Sequence, residues 1–82
     1  MANFKCILNI KCNDNGTFEH KVIHVDLSDN TEKTTQHLRH VDIECVVYHL
    51  RQFLYDEAKM IDTLKQLLNN GTIELFDYFE GY

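Results

Sequence analysis

FKCILNIKCNDNGTFEHKVIHVDL (residues 4–27) holds two runs of alternating apolar and polar residues with a turn between them. Alternation with period two predicts strands that bury one face. The turn is Asn13-Asp14-Asn15-Gly16, and Gly16 can adopt positive φ, which predicts a three-residue hairpin loop with a glycine bulge. We therefore predict an N-terminal β-hairpin whose second strand runs over about 17–27.

The two predicted strands match in one register, with Asn13 opposite Thr17. In this register apolar residues face apolar residues, and a lysine faces a glutamate. The pairs are Ile7 with Ile23, Leu8 with Val22, Lys11 with Glu19, Cys12 with Phe18, Cys6 with His24, and Ile10 with His20. Cross-strand pairs of this kind stabilise an antiparallel sheet, so the pairing supports the hairpin.

The segment after the hairpin is polar. Residues 28–36 (SDNTEKTTQ) predict a loop, because Ser, Asp and Asn cluster there. Thr and Val within 34–41 favour a pleated surface, which predicts a third strand near 34–41. A short helix over 34–41 is the alternative.

Residues 42–70 are predicted to be helical, because their apolar residues recur at three- and four-residue spacing. Asp42 is placed to cap the first turn, and Gly71 suits a left-handed C-terminal cap. The region forms one long helix, or breaks near 55–57 with Asp56 capping a second helix. The apolar stripe consists of Ile43, Val46, Val47, Leu50, Phe53, Leu54, Ile61, Leu64, Leu67 and Leu68.

The sequence after Gly71 predicts a last strand over 72–79. The predicted fold class is α+β: a small antiparallel sheet packed on one long or two shorter helices at about 42–70. The N-terminal hairpin and the C-terminal strand supply the sheet, and the third strand near 34–41 would add to it. Residues 1–82 form one domain, since a chain of this length buries roughly 60–65% of its unfolded surface in a single core.

Acidic residues are concentrated in the second half of the chain. Residues 1–41 carry five basic and five acidic side chains, whereas residues 42–82 carry three basic and eight acidic ones, for a net charge of −5. Binding to DNA, RNA or anionic membranes requires clustered cations. The composition therefore argues against these partners and favours a protein partner with a basic surface.

The cysteine content indicates a reducing compartment. The three cysteines are an odd number and are widely spaced, which argues against a disulfide scaffold. No signal peptide is visible at the N-terminus, and no apolar run approaches the length of a membrane span. We predict a cytoplasmic protein, in the host cytoplasm if it is encoded by a phage.

Two Cys–His pairs are candidates for nucleophilic catalysis or metal binding. Cys45 and His49 lie four apart on the predicted helix, and Cys6 faces His24 in the hairpin. Nucleophilic catalysis also needs an orienting group and an oxyanion site, and structural zinc usually takes four ligands. Neither pattern is present, so we predict no catalytic residue, no metal site and no cofactor, with the histidines at the surface or an interface.

The C-terminal residues combine aromatic and acidic side chains. Aromatic residues supply contact area at interfaces, and carboxylates steer a positively charged partner. The alternative is a last strand with one face in the core, with Phe76 and Tyr78 on one side and Phe79 on the other. The predicted partner-binding residues are Glu74, Phe76, Asp77, Tyr78, Phe79, Glu80 and Tyr82.

These features predict a small acidic modulator or inhibitor of another protein, and not an enzyme. Nucleic-acid-handling enzymes present basic surfaces that a carboxylate-rich face can occupy. By analogy at the level of class alone, this suggests a phage-type inhibitor of a host defence enzyme, anti-CRISPR or anti-restriction. One alternative is a metal-binding regulator or small enzyme using Cys6, His24, Cys45 and His49. Another is a homodimeric structural protein, because Tyr48, Tyr55 and Met60 lie outside the centre of the apolar stripe.

Overall fold

The computed structural model describes residues 3–80. Its elements are β1 (Phe4–Cys12), β2 (Phe18–Asp26), β3 (Thr31–Val41), α1 (Ile43–Phe53), α2 (Glu57–Asn70) and β4 (Thr72–Phe79). The strands form a four-stranded sheet in the order β3-β2-β1-β4, with every neighbouring pair antiparallel. Both helices pack on one face of this sheet. The predicted α+β class is confirmed.

The β1–β2 hairpin has the predicted register throughout, from Cys12 opposite Phe18 to Phe4 opposite Asp26. The backbone N–H of Asn13 donates to the Thr17 carbonyl at 2.9 Å and closes the loop. Gly16 has φ of 83°, which a residue with a side chain rarely adopts.

The strand β3 corrects the predicted loop over 28–36. The turn is confined to residues 27–30, with Asn30 at φ 59°, and the strand begins at Thr31. A strand forms here because the turn folds the chain back along β2, where its backbone groups complete the ladder. The prediction of a third strand is confirmed, and the short-helix alternative is wrong. All residues of β3 are exposed except Val41, so no buried face marks the strand in the sequence.

The helical region consists of two helices, which confirms the predicted break near 55–57 and not the single long helix. The Asp42 carboxylate accepts from the Cys45 N–H at 3.0 Å and begins α1. The Asp56 carboxylate accepts from the Ala58 N–H at 2.9 Å and begins α2. Gly71, at φ 82°, ends α2 with its N–H bonded to Leu67 O. Capping carboxylates satisfy N–H groups that the helix itself leaves free.

The core lies between the helices and the face of the sheet that they cover. Met60 is buried, although the sequence placed it outside the centre of the apolar stripe. Ile61 and Leu68, which the stripe included, are 48% and 64% exposed. The break at Asp56 restarts the helix and changes which residues of α2 face inward. The buried cluster consists of Leu8, Ile10, Phe18, Val46, Leu50, Met60, Leu67 and Ile73.

The sheet has a helix face, which the helices cover, and an open face on the other side. Since side chains alternate along a strand, Leu8 and Ile10 point to the helix face. Ile7 and Asn9 therefore point to the open face. Among residues 3–80, neither helix is long and apolar enough to cross a bilayer.

Candidate functional site

The strand β4 is an edge of the sheet and contains most of the predicted partner-binding residues. It pairs with β1 along its whole length, and no strand within residues 3–80 pairs with its other side. The predicted last strand over 72–79 is confirmed. Glu74, Phe76, Asp77, Tyr78 and Phe79 lie in β4, Glu80 follows it, and Tyr82 lies outside the described residues.

Alternation along β4 divides the predicted residues between two surfaces. Glu74, Phe76 and Tyr78 point to the open face, opposite Asn9, Ile7 and Lys5 of β1. Asp77 and Phe79 point to the helix face, opposite Cys6 and Phe4. The predicted residues therefore do not form one continuous patch.

An apolar band crosses the open face of the sheet. Ile7 of β1 lies between Ile23 of β2 and Phe76 of β4, directly opposite both. Phe76 is 51% exposed and Tyr78 is 58% exposed, while Ile7 and Ile23 are half-buried. An exposed apolar group of this kind on a small domain is typical of an interaction site.

Lys5 brings a cation into this band, which the sequence reading missed. Its Nζ lies 4.0 Å from the centroid of the Phe76 ring and 5.9 Å from that of Tyr78. A lysine this close to an aromatic face is attracted by the ring quadrupole, which holds the two side chains together. The contact follows from the pairing of β1 with β4. The sequence does not predict this pairing, because strands far apart in sequence have no local pattern that indicates their register.

On the helix face, Phe79 belongs to an aromatic group that lies outside the main buried cluster. Its ring stacks on Phe4 with centroids 5.5 Å apart, and the ring of His24 meets it edge-on at 5.5 Å. Phe79 is still 36% exposed. These contacts give Phe79 a packing role, in contrast to Tyr78.

Cys6 lies beside this aromatic group. Its burial, together with the nearby Asp77 carboxylate, raises the pKa of the Cys6 thiol. The thiolate is the nucleophilic form of cysteine, so this environment makes Cys6 less reactive. The geometry of Cys6 opposite His24 therefore gives no support to a nucleophile pair.

His20 corrects the prediction that the histidines lie at the surface or an interface. It is 1% exposed, and neither ring nitrogen has a hydrogen-bond partner. Burial, followed by the proximity of His49 and His37, lowers the pKa of His20. The predicted register already contained the signal, because it placed His20 opposite Ile10 on the apolar side of the hairpin.

Cys45 and His49 form a second pair on α1. The Cys45 Sγ lies 3.7 Å from His49 Nδ1, but the carbonyl oxygen of Cys45 lies closer to that nitrogen, at 2.9 Å. A carbonyl can only accept, so this contact favours the tautomer with its proton on Nδ1, in which that nitrogen has no lone pair for the thiol proton. Gln36 of β3 is a neighbour of the other ring nitrogen that the sequence did not predict, with Oε1 3.4 Å from Nε2.

The two thiol–imidazole pairs do not combine into a metal site. Within residues 3–80, no group of three or more His, Cys, Asp and Glu side chains is arranged to hold a metal ion. All three cysteines are free. The metal-binding and enzymatic alternative therefore rests on two separate Cys–His pairs.

A shallow groove on α1 is a second surface where a partner could contact the protein. It is lined by Ile43, Glu44, Val47, Tyr48 and Arg51. Tyr48 is 64% exposed and Ile43 is 42% exposed. The groove has one carboxylate and one guanidinium, so its lining shows no preference for a basic partner.

Comparison of the sequence with models of known protein families, with curated proteins and with solved structures gives no match.

Proposed function

We propose that this protein is a protein-binding modulator or inhibitor, and that its β4 surface docks on a basic region of the partner. The observation that carries the proposal is the exposure of Phe76 and Tyr78, 51% and 58%, on an edge strand. Exposed aromatic residues supply most of the binding free energy in many interfaces.

Charge supports a basic partner. Glu74, Asp77 and Glu80 follow one another along the strand and the residue after it, and the whole second half of the chain is acidic. Lys5 lies inside the aromatic group and offsets part of this charge locally. Acidic side chains around an aromatic centre accelerate association with a basic surface and exclude acidic partners.

The finer proposal is a phage-type inhibitor of a nucleic-acid-handling host defence enzyme, of the anti-CRISPR or anti-restriction class. Enzymes of that kind hold nucleic acid in basic channels. A small acidic domain that occupies such a channel would block access without any chemistry. This proposal rests on charge and size and on the analogy of class.

Affinity capture followed by binding measurements tests the proposal. The immobilised protein is used to isolate partners from extracts of its native host, and affinity is then measured for Tyr78→Ala. We expect a loss of about 2 kcal/mol, as for an aromatic hot spot. The matched control is Tyr55→Ala, because Tyr55 is 96% exposed on the link between the helices, away from β4.

A charge variant tests the electrostatic part separately. Asp77→Lys/Glu80→Lys should slow association and reduce its salt dependence. The matched control reverses two carboxylates of α2, Glu57→Lys/Asp62→Lys. Equal affinity and equal salt dependence for all folded variants would show that β4 is an ordinary closing strand.

A further inference from the structure

The two edges of the sheet differ in how well they can accept another strand. β3 has register shifts near Phe18/His20 and Val22/Ile23, where its ladder with β2 is irregular. β4 pairs with β1 without a shift from Thr72 to Phe79. Bulges and charges on an edge hinder further pairing, whereas a long regular edge with apolar residues invites it.

The hydrogen bonds fix which backbone groups of β4 face outward. The Cys12 N–H donates to the Gly71 carbonyl at 2.8 Å. In an antiparallel ladder such bonded pairs alternate with unbonded ones. Counting along the register from that pair, the backbone groups of Ile73, Leu75 and Asp77 point to β1. Those of Glu74, Phe76 and Tyr78 point away from the sheet.

One outward donor is already occupied. The Tyr78 N–H donates to the Asp77 carboxylate at 2.9 Å, which agrees with its position outside the ladder. This bond shields the end of the edge near Tyr78. The stretch at Glu74 and Phe76 keeps outward N–H and C=O groups for a further strand, with the exposed Phe76 side chain beside it.

We propose that β4 accepts an extended basic segment of the partner as a fifth strand, which rests on the proposed function and specifies its docking mode. The segment pairs through the outward backbone groups of Glu74 and Phe76. Its lysine or arginine side chains lie near Glu74 on the open face and near Asp77 on the helix face. Strand addition draws its affinity from the main chain and its specificity from alternate side chains.

Charge selects this occupant over a second copy of the protein. A second β4 would add another acidic strand, with its own Glu74 and Asp77, beside a strand that already carries both, and like charges on neighbouring strands destabilise pairing. A segment whose cations are three residues apart places opposite charges near both carboxylates, because such residues point to opposite faces of a strand.

Titration of the labelled protein with a peptide tests strand addition directly. The probe is acetyl-Lys-Thr-Val-Lys-Thr-Val-Lys-amide, whose lysines are three residues apart and so point to both faces. Binding is followed by NMR through the amide chemical shifts of the protein. We expect the largest shifts at Glu74 and Phe76, and none on β3. The control is the same peptide with its internal amides N-methylated, which keeps its charge but cannot pair. Equal shifts with both peptides, or none with either, would overturn the proposal.

A pair of substitutions tests the same edge from the side of the protein. Glu74→Ala removes the carboxylate alone, whereas Glu74→Pro also removes the outward N–H, which the ladder with β1 does not use. We expect Glu74→Pro to bind the peptide roughly five- to tenfold more weakly than Glu74→Ala. Equal affinities would exclude strand addition. If Glu74→Pro does not fold, the N-methylated peptide decides the question with the unaltered protein.

The captured partner separates this inference from the proposed function. If Tyr78→Ala weakens its binding while Glu74→Pro and Glu74→Ala bind equally, the docking surface stands and strand addition is wrong. If none of the three weakens it, the proposed function is wrong as well. A dimer that Glu74→Pro dissociates would assign the edge to a second copy and overturn the basic segment.

Discussion

The imidazole rings of His20 and His49 meet edge to face, with centroids 4.0 Å apart and planes at 74°. His20 is almost fully buried, and both of its ring nitrogens lack a partner. A charged imidazole in this position would be desolvated, and it would be disfavoured further by His49 and, less strongly, by His37. The lowered pKa of His20 therefore favours its neutral form in the folded protein.

We expect stability to fall as the pH falls below the ordinary pKa of histidine. The pKa of His20 is lowered in the folded state, so between its lowered and its ordinary value the unfolded chain binds the proton more readily. The stabilising effect is complete above that window and is lost on acidification through it. Urea unfolding at a series of pH values measures this slope. His40→Gln, at an exposed position on β3, is the control and should keep the slope of the unaltered protein. If His20→Leu also keeps that slope, His20 is not the group responsible for it.

The unpaired nitrogens of His20 also predict a gain from an apolar replacement. His20→Leu removes two buried polar atoms from an apolar environment, where each unsatisfied group costs about 1–3 kcal/mol. At pH 7.5 we expect the free energy of unfolding to rise by about 1 kcal/mol. A loss of stability would indicate that the contact with His49 outweighs the unpaired nitrogens.

The break between the helices depends on Asp56. Asp56→Ala leaves the N–H groups of Ala58 and Lys59 without their carboxylate acceptor. We expect the free energy of unfolding to fall by about 1 kcal/mol, measured by denaturant titration. Glu57→Ala, which removes a neighbouring carboxylate that caps nothing, should cost less. Equal costs for the two variants would show that general charge, and not capping, is responsible.

Truncation of Phe79 should lower the thermal stability, whereas truncation of Tyr78 should not. Phe79→Ala removes the stack on Phe4 and the edge contact with His24, so we expect a lower thermal midpoint. Tyr78→Ala removes a side chain that is 58% exposed, and the midpoint should stay nearly unchanged. A large loss of stability in Tyr78→Ala would mean that its ring is part of the packing and not a docking residue.

Chelation tests the alternative that assigns a metal to the cysteines and histidines. We expect EDTA to leave the thermal midpoint unchanged, because the core has apolar packing enough to fold without a metal staple. Elemental analysis of the purified protein accompanies the melting curves. A fall of several degrees together with bound zinc would instead favour a site built on Cys45 and His49.

What the sequence could predict follows from the range of the interactions involved. The β1–β2 register and the caps at Asp42 and Asp56 depend on residues close in sequence, and they are present as predicted. The start of β3 at Thr31 was missed, since a strand with no buried face has no alternating pattern. The placement of Lys5 over Phe76 was missed because it depends on pairing between distant strands.

The candidate site shows the same division. Alternation in β4 predicts that Phe76 and Tyr78 share a face, and they do. Which face the helices cover depends on the assembled fold, so the sequence could not separate packing residues from exposed ones. The Asp77 carboxylate, predicted only as a steering charge, also binds the Tyr78 N–H, a contact that requires knowledge of the free edge.

The pairing of β4 with β1 has a consequence for the order of folding. The strands β1, β2 and β3 are consecutive in sequence and adjacent in the sheet, so short turns suffice to pair them. β4 pairs with β1 only after the chain has passed through both helices. Closing a long loop costs more chain entropy than closing a short one, so contacts of high sequence separation form late. On the ribosome, the edge that would contact a partner is therefore assembled only after the rest of the domain has been synthesised, and incomplete chains lack it.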